Sequence, residues 1–79
     1  MPDREAIENL RVKVGRRRNE AEALARAALK KLAHLASGII PLEELDPDDV
    51  RAAAETFAEE LTRLRAHEQF ARELRELLL

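Results

Sequence analysis

The stretch that decides the fold is residues 37 to 49, Ser37-Gly38-Ile39-Ile40-Pro41-Leu42-Glu43-Glu44-Leu45-Asp46-Pro47-Asp48-Asp49. Its two ends carry opposite signals. Ser37-Gly38 reads as a helix stop, with glycine available for the left-handed residue that closes a last turn. Asp46-Pro47-Asp48-Asp49 reads as a helix start. Asp46 can cap free N–H groups, Pro47 fits the first helical position, and two further acids meet the positive end of the helix dipole. Between stop and start, residues 39–45 are apolar for a loop. Ile40, Leu42 and Leu45 are expected to plug the end of a bundle, with Pro41 beginning a short helical turn. A helix stop so close to a helix start predicts a hairpin.

Working outward, the second helix is expected over 47–78 and the first over 19–37, joined by a connection at 38–46. Downstream, Val50, Ala53, Ala54, Phe57, Leu61 and Leu64 fall on one face of a 3.6-residue repeat. Upstream, Ala21, Leu24, Ala25, Ala28, Leu29, Leu32, Leu35, Ala36 and Ile39 form a matching stripe. The two stripes should meet, with Leu24, Ala28, Leu32, Leu35, Phe57, Leu61 and Leu64 packed between them.

Further from the turn the pattern changes on both arms. Ile7, Leu10 and Val14 continue a helical stripe, but Gly15-Arg16-Arg17-Arg18 interrupts it. One reading ends a short helix of about 3–14 at Gly15 and opens the next at Asn19, whose spacing to Glu22 suits a capping box, giving three helices. The other carries one helix from Asp3 to Ser37 through Gly15, at about 1 kcal/mol relative to alanine, giving two. On the second arm Ala66, Phe70, Leu74 and Leu77 lie on a face rotated away from Val50, Phe57 and Leu61. Antiparallel pairing would bring them beside Val14, Leu10 and Ile7, with Arg17 near His67 and Glu68. This predicts a charged belt between a large apolar block near the turn and a smaller one near the termini. The smaller block, Ile7, Leu10, Val14, Phe70, Leu74 and Leu77, is the expected association interface of a homodimer or larger bundle.

Composition bounds these readings. Seventy-nine residues make a single domain, 1–79. Ala, Glu, Leu, Arg and Lys supply 53 of those 79 residues, above the half that marks long helices, so the class is all-α. There is no cysteine, which excludes disulfides, thiolate metal sites and cysteine nucleophiles. Chains this small hide a modest share of their surface and need staples, partners or idealised packing. No run approaches a membrane span and the N-terminal residues are charged, so a soluble chain without a signal segment is expected. The net charge of -2 is unevenly spread: residues 1–40 hold nine Lys/Arg against five Asp/Glu, and residues 41–79 hold five against eleven. Opposite halves favour antiparallel pairing, mainly as an orienting influence.

Chemistry-bearing residues are few. His34 projects opposite the apolar stripe and His67 borders the Phe70/Leu74 face. Neither sits in a zinc or di-iron spacing, so no metal is expected. Ser37 has a helix-ending role and no acid–base pair. Glu43/Glu44 and Glu59/Glu60 read as solvated faces, and Gly15 stands outside any phosphate-binding glycine loop. Neither catalysis nor a cofactor is expected. With no Tyr or Trp and two Phe, aromatic hot spots and base-stacking platforms are scarce. The run Arg11, Lys13, Arg16, Arg17, Arg18 carries no acid and can attract phosphates. Read as a strand of period two, residues 10–14 would pair across a dimer. That layout resembles the ribbon-helix-helix repressors and implies, as the alternative function, a small dimeric nucleic-acid-binding protein.

Two other resemblances concern architecture. Ser37-Gly38-Ile39-Ile40-Pro41-Leu42-Glu43-Glu44 is similar to the turn of the exodeoxyribonuclease VII small subunit, a helical hairpin, though the Phe-Glu-x-Gly expected after that turn is replaced by Asp46 to Asp49. More broadly, the Ala/Leu stripes, Glu/Arg surfaces, Asp-Pro-Asp-Asp start and absence of cysteine resemble computationally designed helical bundles. That resemblance implies a non-enzymatic scaffold associating with itself or another protein through apolar helix faces.

Overall fold

A computed structural model describes residues 3–79. Helix α1 spans Arg4–Ala36, a single 3₁₀ turn spans Leu42–Glu44, and helix α2 spans Pro47–Leu78. The two long helices pack antiparallel as a hairpin of 62 × 15 × 14 Å. The long dimension is set by α1 itself, whose 33 residues at 1.5 Å each reach about 50 Å.

The ends form as their residues dictate. The Asp3 carboxylate accepts from the Glu5 N–H at 3.0 Å and opens α1. Asp46 accepts from the Asp48 N–H at 2.9 Å and opens α2, with Pro47 in its first turn. At the stop, the Ser37 hydroxyl donates to the His34 carbonyl at 2.6 Å and Gly38 takes φ 84°, the left-handed conformation glycine permits. Pro41 precedes the 3₁₀ turn. Ile40 and Leu45 are half-buried as expected of a plug, but Leu42 is 82% exposed and Ile39 73%. The plug is therefore incomplete and leaves an apolar notch of about 370 Å³ lined by Leu32, Leu35, Ile40, Leu42, Leu45 and Val50.

The N-terminal arm corrects the three-helix reading. Residues 3–14 make no separate helix, no helix begins at Asn19, and no strand occurs among the described residues, because α1 runs unbroken through Gly15. The glycine penalty of about 1 kcal/mol is small beside the packing on either side of it, where Val14 and Ala21 are 5% and 2% exposed. The capping box is absent too: Asn19 Oδ1 accepts from Arg18 Nη1 at 3.2 Å, and Glu22 holds Arg18 and Arg26. The ribbon-helix-helix layout loses its ribbon, since residues 10–14 are helical.

What joins the helices is a seam with a period of 3.5, not 3.6. Every buried or half-buried residue of α2 lies on one series: Val50, Ala53, Phe57, Glu60, Leu64, His67, Ala71, Leu74 and Leu78. Its steps of three and four are those of an antiparallel coiled coil. On α1 the matching series is Ile7, Val14, Arg18, Ala21, Ala25, Ala28, Leu32 and Leu35, with exposed Arg11 filling the remaining place. The expected rotation of the apolar face after Leu64 does not occur. Leu74 continues the seam, while Phe70 and Leu77 fall beside it, 41% and 63% exposed. Leu24 and Leu61, expected inside, stand 50% and 37% exposed for the same reason.

The Arg18–Glu68 ion pair marks one level of the seam. His67, beside Glu68, is the α2 seam residue at that level, and stepping along the two series from Arg18 and His67 sets large against small through the middle of the seam: Ala28 falls level with Phe57, Ala21 with Leu64, Leu32 with Ala53 and Val14 with Ala71. Such alternation lets side chains interleave, but it makes a thin core. Of the six buried apolar residues, Val14, Ala21, Ala25, Ala28, Ala53 and Leu74, four are alanines, each contributing little more than one methyl group at about 0.8 kcal/mol.

Candidate functional site

Two surfaces flank the seam. In an antiparallel pair, residues just outside the seam on one helix line up with their counterparts on the other, giving two distinct flanks. One flank shows in a cleft of about 500 Å³ lined by Arg17, Ala21, Leu24, Glu60, Arg63 and His67. The other shows in a cleft of about 450 Å³ lined by Arg11, Gly15, Arg18, Glu68, Arg72 and Arg75.

The six residues expected to mediate association are divided by this geometry. Val14 and Leu74 are buried and Ile7 is half-buried inside the hairpin's own seam. Leu10 (40% exposed), Phe70 and Leu77 remain open to solvent. Heptad position places these three on the flank of Arg17 and Leu24, so the open apolar surface is a lateral strip, not an end face. Leu29, 50% exposed, and Leu61 lie on the opposite flank nearer the turn. The division was hidden by reading α2 at 3.6 residues per turn. Stepping three and four from Val50 passes through Glu60 and His67 and arrives at Leu74.

The polar belt sits where the two arms change character, but its key is Arg18, not Arg17. Arg18 donates to Glu68 Oε1 from Nη2 at 2.8 Å and Nε at 3.2 Å, and also pairs with Glu22. This is the one ion pair between the helices among the described residues. The Glu68 hydrogen bond, helped by Glu22, holds the Arg18 guanidinium charged beyond its ordinary range. Hydrogen bonds from Arg26 and then Arg18 draw the Glu22 carboxyl below the usual glutamate range. Arg17 does stand with His67, in the cleft on the other flank.

Inside that cleft Glu60 is the buried charge sequence reading passed over as part of a solvated pair. Only 6% of it is exposed. Its Oε1 accepts from Arg63 at 3.0 Å, and its Oε2 is buried without a hydrogen-bond partner. Glu59, its neighbour in sequence, is exposed, as are Glu43, Glu44, Ser37 and His34. His67 is half-buried in the seam, at the level of Arg18. No group of three His, Asp or Glu side chains able to hold a metal occurs among the described residues.

The basic run does not act as a unit. Arg11 and Arg18 border one cleft, Arg17 borders the other, and Lys13 and Arg16 are exposed outside both. The guanidiniums that join Arg11 and Arg18 come instead from α2, as Arg72 and Arg75. Their place four and seven residues after Glu68 could be read from α2 alone, but their meeting with Arg11 required the antiparallel register.

No helix is long and apolar enough to cross a membrane among the described residues. No protein-family model matches the chain, and no curated protein or solved structure does.

Proposed function

We propose that the chain is a non-enzymatic structural protein, a helical hairpin that associates with a second copy of itself through the apolar strip of Leu10, Phe70 and Leu77. The observation that carries this reading is area. The hairpin exposes 6371 Å², whereas a folded monomer of 9.0 kDa follows a size relation that gives about 4,900 Å². The surplus, roughly 1,500 Å², exceeds the roughly 800 Å² that each partner hides in a standard interface. A second hairpin laid alongside would cover it as a four-helix bundle.

Charge supports a second copy over an unrelated occupant. The first half of the chain is basic and the second acidic, nine Lys/Arg against five Asp/Glu and then five against eleven. Two hairpins related by a two-fold axis can therefore set α1 of one against α2 of the other with opposite signs facing. The resemblance to designed bundles points the same way, because such scaffolds join through helix faces of Ala and Leu. Sedimentation equilibrium over a wide concentration range is the direct test, with a dimer mass at micromolar chain expected. A monomer throughout, still helical by circular dichroism, would refute the proposal.

A further inference from the structure

We propose that the cleft walled by Arg11, Arg18, Arg72 and Arg75 over Gly15 binds a compact oxyanion carrying two or more phosphoryl groups. Four guanidiniums from two helices face it against one carboxylate, Glu68, and Glu68 is already held by Arg18. Among the described residues no carboxylate pairs with Arg11, Arg72 or Arg75. Three unpaired guanidiniums gathered at one cleft repel each other, and a multiply charged anion relieves that repulsion. Each planar fork also matches the paired oxygens of a phosphoryl group.

Gly15 is the independent sign. It lies in mid-helix, where alanine is the better helix former. No packing within the chain demands it, because a methyl group built there would meet nothing within 4 Å. The bare backbone instead deepens the cleft between the guanidiniums, which is useful to a ligand that approaches the helix closely. The space, about 450 Å³, lies within the ordinary range of small-ligand pockets. A polymer is disfavoured, because the next cleft along α2 sets Glu73 and Glu76 beside Arg65, and a duplex lying across the surface would have to meet those two acids. The site lies on the flank opposite Leu10 and Phe70, so it does not rest on self-association.

The test is calorimetric titration of the full chain with inorganic triphosphate at low salt, beside three variants. Triphosphate should bind the parent. The double variant Arg72→Gln with Arg75→Gln should weaken binding about tenfold or more, since two charge-assisted contacts are lost. Lys13→Gln with Arg16→Gln removes the same charge outside the cleft and should weaken it about twofold at most. Gly15→Ala should raise the melting temperature while lowering affinity, a combination that a purely structural glycine would not produce. Absence of triphosphate binding overturns the proposal. So does an equal loss in the two double variants, an unchanged affinity in Gly15→Ala, or displacement of triphosphate by duplex DNA at equal phosphate concentration.

Discussion

Glu60 shows how one side chain shapes the seam. It occupies a place that eight of its eight companions on α2 fill with Val, Ala, Phe, Leu or His, and the heptad count puts it level with Ala25. The small partner leaves room for a carboxylate, and Arg63 reaches over from the next turn to neutralise one oxygen. The other oxygen is buried and unpaired, a state that opposes folding by about 1–3 kcal/mol for a polar group. A leucine of similar volume would remove that opposition and add apolar burial. Glu60→Leu is therefore expected to raise the unfolding free energy by about 1–3 kcal/mol, measured by urea denaturation. A loss of stability would mean that the carboxylate has a partner in solution, and the second chain of a dimer would be the first place to look.

At the scale of the helices, both boundaries at the turn were legible because they rest on local chemistry. Asp46 caps and Gly38 turns whatever lies across from them, so residues 37–49 identify a hairpin without tertiary information. The N-terminal arm was not legible to the same degree. Gly15 and Arg16 to Arg18 are a local argument for breaking the helix, and only the seam across from them, with Val14 and Ala21 buried, overrides it. Packing between helices also shifts the period to 3.5, which is why Leu74 belongs to the hairpin and Phe70 does not. The belt that joins the helices has a pH signature. The Glu22 carboxyl is lowered in the folded state by Arg26 and Arg18. Its contribution is thus fully present above the ordinary glutamate pKa of about 4.3 and is lost as pH falls through the depressed folded value. Melting temperature should decline on the acid side of that range, and Glu22→Gln should flatten part of the decline. Identical acid profiles for the two chains would remove Glu22 from the account.

For the whole molecule, the decisive feature is that a ribbon two helices thick cannot hide both sides of its apolar surface. The buried core is mostly alanine, and Leu10, Leu24, Phe70 and Leu77 stand open on one flank. A variant meant to separate association from folding must avoid Leu74, because that side chain is 4% exposed within a single hairpin and its loss would damage the fold itself. Phe70→Asp with Leu77→Asp changes the strip and leaves the seam intact. In a dimer, the new carboxylates would replace the apolar contacts of the strip and carry charge into the buried interface, which is strongly unfavourable. The expected outcome is a shift to monomer in sedimentation velocity with much of the helical signal retained at low temperature. Thermal stability should then fall and lose its dependence on protein concentration, since dissociation removes the mass-action contribution. If the double variant sediments like the parent, the strip is not the interface, and the turn-proximal flank of Leu29 and Leu61 becomes the surface to mutate.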